Sequence, residues 1–259
     1  VMLMSRNSQT GNLGESLGGS EAATLNRAGS LEAVASYSPF ADTVTLAGQG
    51  DRETLRAAAV SPGFFKVLGV YPALGRAFTP GEKRSGAAQP VILTHGYWQR
   101  RFGADQSILG RTLVFDPDSG SDLSGPATVV GVLPAHFWYP RMTVKGQPDV
   151  LFADDDDGRS PTSAGARYFL LARLKAEVPL KQAQVEADAM TAALESNGRA
   201  VRTQYVAVMP LRTQMVANQR STLLTIFGGV LCLLLIACVN VANLMVARGG
   251  ARERELALR

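Results

Sequence analysis

Few side chains in this sequence are spaced for catalysis or for metal binding. The two histidines, His95 and His136, lie in the opening turn of an expected helix and in an aromatic turn, with no spacing that indicates shared metal ligands. The acidic run at residues 154–157 lacks the alternating ligands and distant glutamate of an EF-hand loop, so we interpret it as a solvated loop. Neither a GxSxG nucleophile turn nor a GxxxxGK(S/T) phosphate-binding loop occurs. The sequence therefore predicts no catalytic, metal-binding or cofactor-binding residue in this chain.

Two polar side chains that are suited to contacts between helices lie inside one long apolar stretch. Residues 221–247, STLLTIFGGVLCLLLIACVNVANLMVA, include no charged residue. At roughly 1.5 Å per residue this stretch would reach about 40 Å as a helix, which exceeds the hydrocarbon layer of about 30 Å. Helices buried in soluble proteins rarely stay apolar on all sides for this length. The stretch is therefore predicted to be a transmembrane helix.

Four residues within this span are suited to contact another helix. Asn240 and Asn243 are the only strongly polar side chains deep in the span, and their spacing of three places them on one side of a helix. A hydrogen bond from either side chain to a neighbouring helix contributes about 0.6 to 2 kcal/mol. Gly228 and Gly229 would permit close approach of a second helix, or a local bend. We predict helix packing for all four residues; the alternative is that the asparagines line a substrate path.

The charges that flank the span predict its orientation. The nearest basic residues before the span are Arg212 and Arg220, whereas four arginines follow it, at Arg248, Arg252, Arg254 and Arg259. Because arginine is enriched on the cytoplasmic side of membrane helices, the C-terminal tail is predicted to be cytoplasmic. We therefore expect a bacterial inner-membrane protein whose large N-terminal part is periplasmic or extracellular.

Composition limits the possible partners and the redox chemistry. The net charge is only +4 and no basic stripe with interleaved aromatic residues occurs, so nucleic acid is not an expected partner. Both cysteines, Cys232 and Cys238, lie in the span, so the exported part can form no disulfide. The first four residues are apolar, but Ser5 and Arg6 follow, which leaves no signal-peptide core. We expect a fragment of a longer protein in which an earlier transmembrane helix precedes Val1.

The part before the span mixes short strands with short helices. Residues 5–30 are rich in Ser, Gly, Asn and Thr and are expected to form a loop followed by a weak helix. Ser61 and Gly69 are expected to cap one helix, and Thr94 and Gly103 a second. The predicted strands cover residues 34–37, 43–47, 55–60, 91–93, 111–115, 127–133, 167–175 and 204–211.

A longer amphipathic helix is predicted near the end of this part, over residues 179–197. The residues on its buried face would be Leu180, Ala183, Ala187, Met190 and Leu194. Strands and helices do not alternate strictly, which disfavours a doubly wound sheet. The predicted fold class is therefore α+β: a mixed-sheet extracytoplasmic domain of two subdomains, followed by one transmembrane helix.

Four separated blocks of the sequence resemble a known protein family. They are SPGFFKVLGVYPALGRAFTPGE (61–82), VILTHGYWQRRFGADQSILGRTL (91–113), VVGVLPAHFWYP (129–140) and LLLIACVNVANLMVARGGARERELALR (233–259). In this order they resemble the MacB-like ABC transporter permeases. The resemblance implies a MacB-like periplasmic core domain over residues 1–218, a transmembrane helix over 219–248, and the start of the cytoplasmic coupling segment of an FtsX-like permease domain over 249–259.

The resemblance also implies partners. Such permeases pair as dimers and bind ABC ATPases, so the expected partners are a second permease copy, an ATPase that holds ATP and Mg²⁺, and the lipid bilayer. A periplasmic adaptor or an outer-membrane component is left open. On a helix, Arg252, Glu255 and Arg259 would form one charged face with Leu256 beside it. The resemblance implies that this face couples to the ATPase, whereas charge alone would favour a solvated helix.

The predicted function is therefore that of a membrane subunit of an ABC transporter, which couples ATP hydrolysis by a partner to movement of a periplasmic domain, for export or mechanotransmission. The permease itself would catalyse no reaction. One alternative is a membrane-anchored extracytoplasmic ligand-binding or sensor module that signals through a short tail. An anchored hydrolase is a third interpretation, but it requires an active site that the sequence does not offer.

Overall fold

The chain divides into two units in a computed structural model that describes residues 1–7, 13–14, 16–18, 24–38, 41–47, 52–82, 88–117, 121–140, 147–154, 167–196, 204–211 and 224–243. The first unit is Val1–Leu211 and the second is Arg212–Arg259. The first unit is a mixed sheet with helices, and the second contains the helix Leu224–Asn243.

The first unit is built on a 13-stranded sheet in its described residues. The strands are β1 (Met2–Asn7), β2 (Leu13–Gly14), β3 (Leu17–Gly18), β4 (Leu31–Tyr37), β5 (Asp42–Ala47), β6 (Glu53–Val60), β7 (Leu74–Gly75), β8 (Gln89–Leu93), β9 (Thr112–Phe115), β10 (Gly125–Val132), β11 (Val150–Ala153), β12 (Arg167–Leu174) and β13 (Gln204–Met209). The helices are α1 (Phe64–Leu68), α2 (His95–Phe102) and α3 (Leu180–Ser196), with a 3₁₀ turn at Gln106–Ile108. The helix of the second unit is α4 (Leu224–Asn243).

Part of this sheet closes on itself. The strand order runs β11-β8-β10-β9-β5-β6, and β6 also pairs in parallel with β11, from Ala57 opposite Val150 to Val60 opposite Ala153. Closure pairs both edges of these strands, so the ring offers few free backbone groups to another chain. Buried side chains fill its interior, among them Val44, Leu55, Phe115, Val129 and Phe152.

The rest of the sheet is open and extends from the ring through β6-β4-β12-β1-β13. Leu3 of β1 packs with Ala183 and Ala187 of α3 on one face, whereas Met2 and Met4 belong to a cluster on the other face. This alternation follows from the two-residue period of a strand. The α+β mixed-sheet class is confirmed, with one core in the ring and two beside the open strands, all within one compact unit.

Helix ends follow the glycines of the sequence. Gly69 ends α1 at φ +69° and Gly103 ends α2 at φ +59°, the left-handed conformation that glycine adopts without strain. Thr94 is the N-cap of α2, as predicted, although its hydroxyl donates to the carbonyl oxygen of Asp149 instead of capping the helix. Ser61 is not the N-cap of α1; Gly63 is, and the Ser61 hydroxyl accepts the N–H of Ser36.

Five of the described strands were not predicted: β1, β11 and the two-residue strands β2, β3 and β7. Residues 5–7 belong to β1, so the expectation of a loop from residue 5 onward is wrong at its start. β1 is held by full antiparallel pairing with β13, a partner about 200 residues away in sequence, which a local pattern cannot reveal. The short apolar run of β11 is likewise a strand because it lies between β8 and β6 in the ring.

Candidate functional site

One helix among the described residues is long and apolar enough to cross a membrane. It is α4, Leu224–Asn243, and it lies inside the span predicted at residues 221–247. None of its residues is buried within the described structure. A helix that exposes large aliphatic side chains on all sides is suited to lipid and poorly suited to water. This feature agrees with the predicted transmembrane span by length and composition.

The four residues predicted for helix packing all lie on α4. At about 100° per residue, Gly228, Gly229, Asn240 and Asn243 fall within an arc of about 120°. A Cβ added to either glycine would meet nothing within 4 Å. The same arc contains Cys232, whereas Cys238 lies on the opposite side of the helix. Ile236 and Val239 also fall within this arc, so the four residues share one side of the helix with bulkier aliphatic side chains, and their packing against another helix stays a prediction.

The predicted coupling residues, Arg252, Glu255, Leu256 and Arg259, lie outside the described residues. Their roles therefore stay predictions. Of the acidic run at 154–157, only Asp154 is described, and its backbone N–H donates to the carbonyl oxygen of Val60. His95 stacks edge-on against Trp98, with ring centroids 5.7 Å apart. Within the described part of the chain, no group of three or more His, Cys, Asp or Glu side chains could hold a metal ion.

A cluster of aromatic side chains connects the closed ring of strands to the open part of the sheet. Tyr139, from the aromatic turn at residues 134–140, lies 6.1 Å from Tyr37 and 5.6 Å from Phe64 by ring centroids. Its hydroxyl donates to the carbonyl oxygen of Ser38 at 2.6 Å. Burial raises the pKa of Tyr139 well above its usual value, so the hydroxyl stays protonated and remains a donor. The turn is thus an internal anchor, although Trp138 beside it is exposed.

Asp149 is a buried carboxylate that the sequence analysis did not single out. It is 8% exposed and precedes β11. Its Oδ2 accepts the backbone N–H of Arg56 on β6 at 3.1 Å, and its Oδ1 accepts from Arg100 on α2 at 2.9 Å. Its backbone carbonyl accepts the N–H of Thr94 at 3.0 Å. One residue therefore joins three elements; the only sequence signal was a lone acidic residue beside an apolar run.

A second carboxylate fastens α2 to the ring of strands. Glu53 of β6 accepts the hydroxyl of Tyr97 at 3.3 Å and pairs with Arg101 at 3.2 Å. Burial raises the pKa of Tyr97, and the negative charge of Glu53 raises it further, so the phenol remains a donor at neutral pH. Glu53 therefore links α2 to β6 through one hydrogen bond and one ion pair.

Glu186 of α3 holds the turn before β4. Its carboxylate accepts the backbone N–H groups of Gly29 at 2.6 Å and Ser30 at 2.8 Å. A hydrogen bond from the Ser30 side chain lowers the pKa of Glu186 most, with the two backbone bonds and the charge of Lys175 acting in the same direction; partial burial opposes them. The ionised form is therefore the one that stabilises this turn.

We expect Glu186→Gln to lower the free energy of unfolding by about 0.5 to 1 kcal/mol at pH 7, because the side chain is partly exposed and its bonds are screened. A folded-state pKa below the ordinary 4.5 means that the stabilisation is present above that pH and is lost as the pH falls through the lower value. Urea unfolding of wild type and variant at pH 7 and pH 3 would measure this. An equal difference at both pH values would contradict the prediction.

Comparison with known proteins gives the family. The model of the MacB-like periplasmic core domain matches residues 2–190. No curated protein matches the sequence significantly. Among solved structures, the extracellular domain of the noncanonic ABC-type transporter YknZ from Gram-positive bacteria is similar, with 17% identity, a TM-score of 0.51, and coverage of 81% of this chain and 99% of that chain.

Two further solved structures share the fold. The periplasmic region of MacB from Actinobacillus actinomycetemcomitans has 17% identity and a TM-score of 0.52, covering 84% of this chain and 92% of that chain. A domain of a protein from Porphyromonas gingivalis, described as a permease, has 16% identity and a TM-score of 0.52, covering 81% of this chain and 88% of that chain. Such identities support a shared fold and do not transfer a cargo.

A mixed-sheet domain joined in one chain to an apolar helix defines the class: an extracytoplasmic domain carried by a membrane protein. Because the family model matches well over half of the sequence, the chain belongs to the family of MacB-like periplasmic core domains. It is therefore a component of a transporter permease, as the four sequence blocks predicted.

Proposed function

We propose that the chain is part of the membrane subunit of an ABC transporter that couples ATP hydrolysis by a partner to movement of the extracytoplasmic domain. The observation that carries this proposal is the order of the parts: a family-matched periplasmic core domain, then an apolar helix, then an arginine-rich tail. The tail lies in the cytoplasm, where the ATPase binds ATP and Mg²⁺. Neither catalysis nor a cofactor is assigned to this chain.

The chain path supports mechanical coupling. β13 is the strand nearest in sequence to α4, and it pairs with β1 along six residue pairs, from Met2 opposite Met209 to Asn7 opposite Gln204. A pull along β13 would load these backbone hydrogen bonds in parallel, so they resist it together. Movement of the span would therefore shift the open sheet and would not peel its last strand away.

Exchanging the charges of the predicted coupling face tests the proposal. In the complete protein, we expect Arg252→Glu with Glu255→Arg to reduce ATPase binding and cargo export at least about tenfold, because two charge-assisted contacts become repulsive. Glu253→Arg with Arg254→Glu is the matched control, since it also preserves net charge but would change the other side of the predicted helix. ATPase co-purification and ATP-dependent export are the measurements.

Equal binding and export in both double variants would contradict a coupling role for this face. The anchored sensor interpretation predicts that result, together with the absence of an ATPase partner from the purified complex. Sequencing outward from both ends of the coding region distinguishes the two interpretations independently. The permease interpretation expects a hydrophobic helix before Val1, two more after Arg259, and an ATPase in the same or a neighbouring reading frame.

We also propose that the side of α4 that carries Gly228, Gly229, Asn240 and Asn243 packs against a second permease copy. An asparagine amide both donates and accepts, so Asn240 and Asn243 on two identical faces can satisfy each other in a membrane. Mild oxidation of the membrane-embedded protein should link two chains through Cys232, and Asn240→Leu with Asn243→Leu should reduce that product several-fold. Cys232→Ala and Cys238→Ala are the paired controls; a link that depends on Cys238 would place the interface on the other face.

A further inference from the structure

The outer edge of β13 carries backbone groups that β1 does not use. β13 is the last strand in the sheet order, so among the described strands it has a neighbour on one side only. In an antiparallel pair, alternate residues direct their N–H and C=O groups away from the partner strand. Val206 and Val208 are such residues, and they are nevertheless buried. Buried backbone groups without partners would be costly, so something must satisfy them.

The side chain of Gln184 on α3 satisfies these groups. Its Oε1 accepts the backbone N–H of Val208 at 2.7 Å, and its Nε2 donates to the carbonyl oxygen of Val206 at 2.6 Å. One side-chain amide thus makes the two hydrogen bonds that a residue of a neighbouring strand would make. The orientation of the amide follows from chemistry, because a backbone N–H can only donate and a carbonyl can only accept.

A third hydrogen bond fixes the amide from the helix side. Nε2 of Gln184 also donates to Oδ1 of Asp188, one turn further along α3, at 2.8 Å. Beneath it, Ala183 and Ala187 pack against the same strands as part of one buried cluster. The two alanines bring the helix close to the sheet, while Gln184 bonds directly to the strand backbone. α3 and β13 are therefore joined by directed bonds in addition to apolar packing.

We propose that Gln184 is a positioning residue that makes β13 and α3 move as one element when the membrane span moves. The mechanical part of this inference rests on the proposed permease function, because only then does force enter the domain through β13. Pulled along its length, β13 is held by β1 on one side and by Gln184 on the other. Loss of the clamp leaves the outer side held by apolar contacts, which resist sliding weakly because they have no fixed direction.

Hydrogen exchange tests the clamp itself. In the full chain in lipid nanodiscs, Gln184→Met keeps the length of the side chain and removes its hydrogen bonds. We expect the Val208 amide to exchange about tenfold faster in this variant, whereas the Ala207 amide, which faces β1, stays protected. The same substitution at exposed Gln182 on α3 is the matched control and should change neither amide. Unchanged exchange at Val208 in Gln184→Met would overturn the clamp, whatever the protein transports.

Transport tests the mechanical role. In the complete transporter with its ATPase, we expect Gln184→Met to retain ATP hydrolysis within about twofold and to lose about fivefold or more of cargo export, because hydrolysis no longer moves α3 with the strand. Gln182→Met should match wild type in both assays. Export equal to wild type, despite faster exchange at Val208, would overturn the mechanical role and leave the clamp standing. A wild-type complex without ATP-dependent export would instead contradict the proposed function, while the exchange result would remain valid.

Discussion

Substituting Gly75 by alanine should lower the free energy of unfolding of the extracytoplasmic unit by about 3 to 4 kcal/mol. Gly75 ends β7 at φ +76°, which alone costs a non-glycine residue about 1 to 2 kcal/mol. An added Cβ would also collide with the carbonyl oxygen of Val130 and approach Cδ2 of Leu109 to 2.8 Å and Cα of Gly131 to 2.9 Å. Two of these three atoms belong to backbone that cannot rotate away, so β7 must separate from β10.

Gly103→Ala is the matched control for this prediction. Gly103 has φ +59°, but a Cβ there would meet nothing within 4 Å, so only the conformational cost of about 1 to 2 kcal/mol remains. Urea unfolding of residues 1–211, followed by tryptophan fluorescence and circular dichroism, would compare the two variants. Equal losses of stability would show that the close approach of β7 and β10 contributes nothing beyond backbone strain.

Removing the Asp149 carboxylate should cost about 2 to 3 kcal/mol of stability, the range for hydrogen bonds that involve a charged group. Asp149→Ala leaves the backbone N–H of Arg56 without its side-chain acceptor and removes the ionic contact of Arg100. Since the residue joins β6, α2 and the start of β11, we also expect faster hydrogen exchange in β11, where the ring of strands closes. Asp149→Asn should lose less, because its amide oxygen can still accept from Arg56.

The partner of this carboxylate supplies the control. The Arg100 side chain is 65% exposed, so solvent screens its ion pair with Asp149. Arg100→Met should therefore lower the free energy of unfolding by less than about 1 kcal/mol. The same urea unfolding measurement applies. A larger loss for Arg100→Met than for Asp149→Ala would mean that the exposed ion pair, and not the buried acceptor, holds the three elements together.

Gly75 and Asp149 show which features the sequence could not predict, whereas some helix ends could be predicted. Gly69 and Gly103 could be assigned to helix ends because a stop depends on the conformation of one residue. Gly75 could not be distinguished from them, since its importance comes from β10, more than 50 residues later. Asp149 was likewise unremarkable in sequence, and its main partner, Arg56, is 93 residues away.

The strands likewise include some that the sequence predicted and some that it did not. Runs with apolar alternation, such as those now seen as β5, β6 and β9, were predicted with errors of a few residues at their ends. Residues 5–7 of β1 lie in a segment whose polar composition indicated a loop, and pairing with β13 made them part of a strand. Strand formation is decided by neighbouring strands as much as by the segment itself.

By itself, the sequence determined the long apolar helix, the mixture of short strands and helices, and the four blocks that indicated the family, whereas the orientation drawn from the flanking arginines stays a prediction. Each of these is a local property, set by composition, length or short spacing. Only the tertiary structure decided that β6 and β11 close a ring, that Asp149 is a buried anchor, and that Gln184 completes the edge of β13. The physical reason is that each depends on groups distant in sequence whose hydrogen bonds form only after the chain has folded around them.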